Sequence, residues 1–324
     1  MKIFGVLADR SGCGWYRLKL PLAELARRGH QVQLSESLPA NLPPDVDVLV
    51  GQRVCMPGPS ANFQRHAQRG GVLTVLELDD DLWQVDPSNR RAAEFFTPEL
   101  LANLRRNVEM ADVVTTTTDV LAERLAEINR NVRVLPNQVP AWLLGHERPV
   151  TNERVTLGWA GSPSHARDWG ELNAPVRRLL QHPDYRDRVE LHMIGGPDWT
   201  DRVRTPRSTV RHTGWFESVA DLYRAIDFDI GLAPLRPSVF NDAKSDVKLL
   251  EYAALGIPAV LSDTGPYRVD VPAARAVLPS GWTDALRELI DDPECRAQLG
   301  KQAREWAATR TIEGNAHRWL EAYS

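Results

Sequence analysis

Residues 244–263 read KSDVKLLEYAALGIPAVLSD and place one carboxylate, Glu251, inside an apolar run of helical length. The neighbours of Glu251 are leucine, tyrosine and alanine, which predicts a helix largely covered by protein and ended by Gly256. An ionised carboxylate in such surroundings needs hydrogen-bond donors, because leaving it unpaired is costly. Two interpretations remain open: Lys248, three residues earlier, pairs with it on the helix, or a bound ligand donates to it.

The elements that must position this carboxylate alternate between strands and helices. The alternation predicts two doubly wound, mostly parallel α/β sheets. A proline-rich break across residues 136–153 separates the two halves. The predicted strand segments are 2–8, 30–36, 45–51, 71–81 and 111–118 in the first half and 155–160, 189–195, 210–214, 228–234 and 258–262 in the second.

We therefore predict a Rossmann-like domain over residues 1–145 and a second one over residues 150–305. A helix over residues 306–324 is expected to pack back on the first domain. Sheets of this kind bind ligands beyond the carboxyl ends of their strands. We expect the two domains to face a central cleft and the chemistry to lie in the loops that follow the strands.

Composition narrows the class of protein. The 324 residues are 43% hydrophobic and 25% charged, with a net charge of -4, and no basic face for nucleic acid is evident. The three cysteines lack the spacing of metal ligands, and no apolar run approaches the roughly 18 residues of a membrane span. We expect a cytoplasmic protein with reduced cysteines.

The order of the elements and the stretch around Glu251 resemble the GT-B fold of nucleotide-sugar glycosyltransferases, and within it the retaining glycosyltransferase family 4. That family has two glutamates separated by seven residues, followed by a Gly-x-Pro turn. Glu251 matches the second glutamate, and Ala243 stands at the position of the first. The resemblance implies that Glu251 accepts hydrogen bonds from the ribose hydroxyls of the nucleotide, since a diol offers two donors to two carboxylate oxygens.

The start of the same helix is the predicted phosphate site. The amides of Ser245, Asp246 and Val247 would lie where unpaired N–H groups and the helix dipole favour an anion. Lys244 and Lys248 would add positive charge, and Lys248 would help to stabilise the leaving diphosphate.

The loop after the strand at 155–160 resembles the family's second phosphate contact, a Gly-Arg pair with a basic residue five positions after the arginine. This sequence has Gly161, Ser162 in place of the arginine, and Arg167 at the basic position. The resemblance implies that Arg167 stabilises the diphosphate and that Gly161 and Ser162 bind the donor. His165 lies in the same loop and is a further candidate. A solvated loop remains the alternative.

The N-terminal loop SGCGWYR has Gly12, Gly14 and Arg17 after the first strand. One interpretation is a Gly-x-Gly-x-x-Gly dinucleotide fingerprint with Glu36 as the acidic residue, although Arg17 occupies the third glycine position. The resemblance implies instead a glycine-rich loop that approaches the donor's phosphates or sugar, with Arg17 as a ligand. A tight turn with a surface arginine is the third possibility.

Asp79, Asp80 and Asp81 stand together at the predicted carboxyl end of a strand, where like charges repel. Three interpretations compete: a divalent metal site, a cap on the following helix, or an acceptor site. We favour Asp80 and Asp79 as groups that orient or deprotonate the acceptor hydroxyl. In the second half, Gly195 and Gly214 would let the backbone approach a base and ribose.

Together these features predict a glycosyltransferase of the hexosyltransferase type that moves a sugar from a UDP- or GDP-sugar to an acceptor hydroxyl, with retention of configuration. No metal and no tightly bound cofactor are expected. The acceptor is undetermined among a glycan, a small molecule, a protein and a modified nucleic acid. A nucleotide-sugar epimerase, a phosphorylase and a non-catalytic nucleotide-sugar binding protein are the alternatives on the same fold.

Overall fold

The computed structural model of the chain describes residues 1–87, 89–148, 153–196, 209–269, 271–276 and 279–324. The chain divides into two compact units. Unit 1 comprises Met1–Gln138, Asp242–Ser245 and Thr311–Ser324, and unit 2 comprises Val139–Asn241 and Asp246–Arg310. Part of the proline-rich break predicted at 136–153, residues 149–152, lies outside the described residues.

Unit 1 contains a parallel sheet of six strands in the order β2-β1-β3-β4-β5-β6. Because β1 lies between β2 and β3, the strand order reverses there, and the crevice of such a sheet lies at the carboxyl ends of β1 and β3. The strands are β1 (Lys2–Val6), β2 (Gln31–Ser35), β3 (Val48–Gln52), β4 (Leu73–Leu78), β5 (Val113–Thr116) and β6 (Val132–Val134).

The helices of unit 1 cover both faces of this sheet. Their starts follow local capping rules: the Thr97 and Thr118 hydroxyls each accept from an amide of the first turn. The described α-helices are Gly12–Gly14, Leu20–Arg27, Pro57–Arg69, Arg90–Phe95, Pro98–Met110, Asp119–Ala126, Ile312–Asn315 and His317–Ala322, and the segment Trp15–Lys19 is a π-helix. Trp319, 1% exposed, buries the C-terminal segment in a core of this unit.

Unit 2 contains a second parallel sheet of six strands, in the order β12-β11-β10-β7-β8-β9. This is the strand order of a Rossmann sheet, with its topological switch point between β7 and β10. The prediction of two doubly wound parallel sheets is confirmed. The strands are β7 (Val155–Ala160), β8 (Val189–Ile194), β9 (Val210–Thr213), β10 (Ile230–Ala233), β11 (Ala259–Ser262) and β12 (Ala274–Ala276).

The core of unit 2 is closely packed at the centre of this sheet. A Cβ added to Gly158 of β7 would lie 1.7 Å from Cγ of Phe228, so only glycine leaves room for that ring. The described α-helices are Asn173–Gln181, Val219–Ala225, Val239–Asp242, Val247–Ala254, Pro279–Asp291 and Pro293–Ala308, of which Val239–Asp242 ends in unit 1. Among the described residues, no helix has the length and apolar character needed to span a membrane.

Candidate active site

The helix Val247–Ala254 of unit 2 carries Glu251, the predicted ribose ligand. Its Leu250, Tyr252 and Ala254 are completely buried. The helix ends before Gly256, whose φ of 66° is the left-handed conformation that glycine adopts readily at this position. The predicted covered helix, ended by Gly256, is confirmed.

Glu251 is 4% exposed, and its Oε2 accepts a hydrogen bond from Nζ of Lys248 at 3.1 Å. The pairing that the sequence left open is therefore present, between two side chains one turn apart. Lys248 is also more accessible than its partner, with 19% of its side chain exposed against 6% for Glu251. The contact holds a cation beside Glu251 at the first turn of the helix.

The residue that precedes this helix, Asp246, turns its carboxylate to Arg310 of the same unit. The two guanidinium nitrogens Nη1 and Nη2 donate at 3.1 and 3.2 Å. Arg310 in turn lies over the ring of Trp306, 5.5 Å from its centroid. The Asp246 side chain makes no capping hydrogen bond to the helix, so the amides of the first turn, including that of Val247, do not donate to its carboxylate. Sequence reasoning missed Arg310, whose only signal was a basic residue in the tail.

The loop after β7 holds four residues predicted to contact the donor: Gly161, Ser162, His165 and Arg167. Gly161 donates its N–H to the carbonyl of Ile194 at 3.0 Å, and a Cβ here would lie 2.5 Å from the Trp159 ring. The hydroxyls of Ser162 and Ser164 are 2.5 Å apart. Gly161 is thus explained by packing against tryptophan, and Ser162 stands next to it with a hydrogen-bonded hydroxyl.

Asp168 fixes this loop from behind and was not predicted. It is 7% exposed, and its Oδ2 lies 2.9 Å from Nδ1 of His165. Its Oδ1 accepts from the Arg236 amide at 3.0 Å and from Nδ2 of Asn241 at 3.1 Å. One buried carboxylate therefore ties the loop after β7 to the loop after β10, at the switch point of the sheet. Arg167 lies beside it in the sequence and is exposed.

The two remaining predicted glycines of unit 2 differ in what surrounds them. Gly195 has a φ of 76°, and a Cβ there would lie 2.6 Å from the Gly161 carbonyl, so the backbone itself requires glycine. Gly214 has no atom of the described protein within 4 Å of such a Cβ. Open space beside Gly214 is what the close approach of a ligand needs. Residues 197–208, the rest of the loop after Gly195, lie outside the described residues.

In unit 1, the glycine-rich loop after β1 is organised by Asp9. Its Oδ1 accepts from the amides of Ser11 at 2.8 Å and Gly14 at 3.4 Å. A Cβ at Gly14 would lie 1.9 Å from the Asp9 carbonyl oxygen, whereas Gly12 has open space around it. Gly14 is thus explained by close backbone packing, and Gly12 alone keeps the space that a ligand requires.

Arg17 does not fit the predicted role of a phosphate ligand. It is 1% exposed, and its guanidinium donates to the Glu77 carboxylate at 2.6 and 3.2 Å and to the Leu135 carbonyl at 2.6 Å. Burial alone lowers the pKa of this guanidinium, but the negative charge of Glu77 raises it above its usual value. Arg17 is not available to a phosphate because its positive charge is paired with Glu77 inside unit 1. The same burial removes the alternative of a surface arginine.

Each carboxylate of the aspartate cluster after β4 has a cation. Arg53, at the end of β3, donates to Asp79 at 2.5 Å and to Asp80 at 2.7 Å. Lys244 lies 3.2 Å from the second oxygen of Asp80. Burial opposes the charge of Arg53, but Asp79 raises the pKa of its guanidinium well above the usual value. Lys244, predicted at the donor phosphate, is thus brought together with Asp80, predicted at the acceptor.

Asp81 faces a different partner, Nη1 of Arg124 at 2.7 Å. It precedes the short 3₁₀ helix Leu82–Gln84 but makes no capping bond to it, so the cap interpretation of this aspartate is wrong. Among the described residues, no group of three or more histidine, cysteine, aspartate and glutamate side chains is arranged to hold a metal ion. Sequence reasoning missed Arg53, although it directly follows an apolar strand segment.

Comparisons with known proteins place this architecture. A family model described as glycosyl transferases group 1 matches residues 155–292, the part of the chain that holds β7 to β12. No curated protein sequence matches the chain.

Several solved structures share the fold at low sequence identity. HepE from Anabaena, in complex with UDP, is similar with a TM-score of 0.69 and 13% identity, over 99% of this chain and 100% of HepE. A UDP-forming α,α-trehalose-phosphate synthase from Burkholderia xenovorans gives 0.62 and 15%, over 96% of this chain and 78% of that one. TarM from S. aureus gives 0.60 and 14% over 86% of this chain, which spans about half (55%) of the TarM chain.

At 13 to 15% identity the structural similarity shows the fold alone, and this fold is GT-B. The family match covers the part of unit 2 where the Rossmann-ordered sheet and its switch-point loops lie. Residues 155–292 thus match the group 1 glycosyltransferase model, and the chain has the GT-B fold of these structural neighbours.

Proposed function

We propose that unit 2 binds a UDP- or GDP-sugar at the carboxyl ends of β7 and β10, and that the enzyme transfers the sugar to an acceptor hydroxyl with retention of configuration. One observation carries this proposal: the buried Asp168 joins the loops that leave β7 and β10, the two strands at the switch point where Rossmann sheets take nucleotides. That point lies inside the group 1 domain. Because HepE binds UDP in its complex, we propose a uridine nucleotide in preference to a guanosine nucleotide.

Glu251 is the proposed ribose ligand. Its carboxylate is nearly buried and lies one turn inside a helix whose first amides favour an anion. In this arrangement the amides of Asp246 and Val247 bind a diphosphate oxygen, and Lys248, which already lies 3.1 Å from Glu251, supplies positive charge as the diphosphate leaves. Ribose and diphosphate are neighbours in every nucleotide sugar, as Glu251 and the start of its helix are here.

The loop after β7 is the proposed second contact with the donor. His165 presents Nδ1 to Asp168, so Nε2 is its nitrogen for a ligand. Ser162 adds a hydroxyl and the exposed Arg167 adds a cation. The backbone at Gly161, Gly195 and Gly214 is proposed to lie beside the donor. Arg167 is proposed to share the charge of the leaving diphosphate with Lys248.

The acceptor is proposed to bind unit 1 at the carboxyl ends of β1, β3 and β4. Asp80 and Asp79 are the groups offered to the acceptor hydroxyl. Arg53 contacts both carboxylates and Lys244 contacts Asp80, and these contacts orient the two side chains. The acceptor hydroxyl donates a hydrogen bond to a carboxylate oxygen and is thereby oriented while the new glycosidic bond forms. Gly12 leaves space in the neighbouring loop.

Calorimetric titration of wild-type protein with UDP-glucose, UDP-N-acetylglucosamine and GDP-mannose tests the donor site. Glu251→Gln keeps the shape of the side chain and removes the charge that the two ribose hydroxyls would meet. We expect at least tenfold weaker binding of whichever donor the wild type takes, because hydrogen bonds to a charged group contribute about 1.5–3 kcal/mol. Glu305→Gln is the matched control, since Glu305 pairs with Lys301 on an exposed helix face. Equal affinities for wild type and Glu251→Gln would contradict the ribose assignment.

Product analysis with a radiolabelled donor tests the reaction. A transferase forms a labelled glycoside only when an acceptor is present, and the anomeric configuration of that glycoside reports retention. Conversion of the donor sugar without any acceptor would indicate an epimerase, and a strict requirement for inorganic phosphate would indicate a phosphorylase. Either result would replace the proposed reaction.

A further inference from the structure

We propose that Gln52 selects the acceptor in unit 1: its amide nitrogen donates a hydrogen bond to one oxygen of a carbohydrate, while a neighbouring hydroxyl of the same carbohydrate donates to Asp80. Gln52 is thus a specificity-determining residue that binds the acceptor without contacting the oxygen that reacts. The proposal rests on the proposed function and adds to it the chemical class of the acceptor, a molecule with hydroxyls on adjacent carbons.

Gln52 lies at the switch point of the unit 1 sheet. It is the last residue of β3, and Gly51 before it pairs with Val6, the last residue of β1. Its Oε1 accepts a hydrogen bond at 3.1 Å from the amide of Ala8, two residues beyond β1. The carboxamide therefore lies beyond the carboxyl ends of β1 and β3, where sheets of this kind bind ligands.

The nitrogen of this carboxamide is a buried donor that lacks an acceptor. Gln52 is 2% exposed, and among the residues that the structure describes no atom accepts a hydrogen bond from its Nε2. The orientation of the carboxamide is fixed by Ala8, whose N–H can only donate and so must face the oxygen. An unpaired buried donor is costly, and a ligand that supplies an acceptor oxygen removes that cost.

A ligand can reach this nitrogen from the loop after β1. Ala8 is exposed, so the carboxamide bonded to it lies just beneath the surface. In the same loop, no heavy atom of the described residues lies within 4 Å of a Cβ added to Gly12. The terminal torsion of a glutamine side chain has a broad minimum, so Nε2 can turn toward an arriving oxygen. Binding thus requires only a rotation of this side chain.

Arg53 connects Gln52 to the two proposed acceptor carboxylates. It follows Gln52 directly, with a φ of 49°, a left-handed conformation that is uncommon for a residue with a side chain. Its amide donates to the Glu77 carbonyl of β4 at 3.0 Å. Its guanidinium donates to Asp79 at 2.5 Å and to Asp80 at 2.7 Å. A donor without a partner and two carboxylates are thus joined through a single residue at one edge of the sheet.

An N–H donor next to carboxylate acceptors favours a ligand with hydroxyls on neighbouring carbons. The hydroxyl that forms the glycosidic bond uses an oxygen lone pair to do so, and a hydrogen bond from Gln52 to that oxygen would oppose the attack. The partner of Gln52 is therefore a second oxygen of the acceptor. A hydroxyl both donates and accepts. Carbohydrates carry hydroxyls on successive carbons, whereas the side chain of a serine or threonine carries one.

Release of nucleotide from the donor that the wild type binds, measured against acceptor concentration, tests the proposal. The probes are the methyl α-glycosides of glucose, galactose, mannose and N-acetylglucosamine, with N-acetylserine amide as a protein-like acceptor that has a single hydroxyl. We expect a glycoside to stimulate release. Gln52→Met should raise the KM of that glycoside about three- to tenfold and change kcat less, as for the loss of one neutral hydrogen bond. The Kd of the donor should not change.

Two further variants and one further measurement separate acceptor binding from general damage. Gln52→Glu keeps an oxygen for the Ala8 amide and lacks the N–H, so KM should rise at least as far. Gln68→Met changes an exposed glutamine of the helix Pro57–Arg69 and should leave KM unchanged. The thermal midpoint of Gln52→Met should not fall, because an unpaired buried donor is removed and water can bind the amide of the exposed Ala8. A lower midpoint with an unchanged KM would make Gln52 a structural residue and overturn the proposal.

The outcomes distinguish this proposal from the proposed function. If the wild type binds none of the nucleotide sugars titrated, the proposed function fails and the proposal fails with it. If it binds a donor but only N-acetylserine amide, or none of the probes, stimulates release, the acceptor class is wrong while the donor site at Glu251 stands. If a glycoside stimulates release and its KM is the same in Gln52→Met, Gln52 does not contact the acceptor.

Discussion

Replacing Arg17 by methionine is expected to destabilise unit 1 far more than a change at a surface arginine. The substitution keeps a long apolar stem but leaves the Glu77 carboxylate, 1% exposed, without its cation. The Leu135 carbonyl and Asn137 lose their donor as well. Removing one partner of a buried ion pair costs about 3–5 kcal/mol. At a urea m-value of about 2 kcal/mol/M, the unfolding midpoint of unit 1 would fall by roughly 1.5–2.5 M.

Urea titration followed by far-ultraviolet circular dichroism measures this shift, and two further variants make the result specific. Arg17→Met with Glu77→Leu removes both charges, so most of the lost stability should return, because the penalty comes from the unpaired carboxylate. Arg10→Met is the surface control, since Arg10 is 79% exposed in its pair with Glu36, and its midpoint should not move measurably. A small shift for Arg17→Met, or no recovery in the double variant, would refute the structural role assigned to Arg17.

Three other perturbations have defined outcomes. Gly158→Ala should lower the unfolding midpoint of unit 2 by the equivalent of about 1–3 kcal/mol in urea titration, because the new methyl group meets the Phe228 ring, and a smaller residue at 228 should restore part of it. Gly214→Ala should leave the midpoint unchanged and weaken UDP binding in calorimetry, since no atom of the described residues lies within 4 Å of the added methyl group and the proposed donor would meet it. The pKa of Asp227 lies below its usual value because hydrogen bonds from His192 and Arg211 outweigh burial. A depressed carboxyl pKa stabilises the fold above the unfolded pKa of about 3.9, so the stability difference between wild type and Asp227→Asn should be full at pH 6–7 and shrink as the pH falls below about 4.

The fold was accessible from the sequence because hydrophobic runs report burial directly. Ten strand segments were predicted, and the segment at 155–160 coincides with β7. The strands that escaped prediction, β6 (Val132–Val134) and β12 (Ala274–Ala276), have three residues each. A run of that length carries too little periodicity to be distinguished from a loop. Helix ends were equally readable where one residue decides them, as Gly256 does.

The partners of charged residues were not accessible in the same way. The distance between Glu251 and Lys248 follows from helix geometry, so both the pair and its alternative could be named in advance. Arg17 and Glu77 are 60 residues apart and meet only because β4 passes beside the helix that follows β1. The Gly-x-Gly spacing does not predict whether the side chain of the following arginine lies in solvent or packs against the sheet.

The aspartate cluster shows what a local pattern can and cannot specify. Three adjacent carboxylates require compensation, and that requirement can be derived from the sequence alone. The sources of compensation cannot, because Arg53 ends a different strand, Arg124 lies on a helix and Lys244 arrives from a distant part of the chain. Their arrangement gives Asp80 two cations and Asp81 one of its own. A hydroxyl that approached Asp80 would meet a carboxylate already held in place by a guanidinium and an ammonium, which is the arrangement that the proposed role in orienting an acceptor requires.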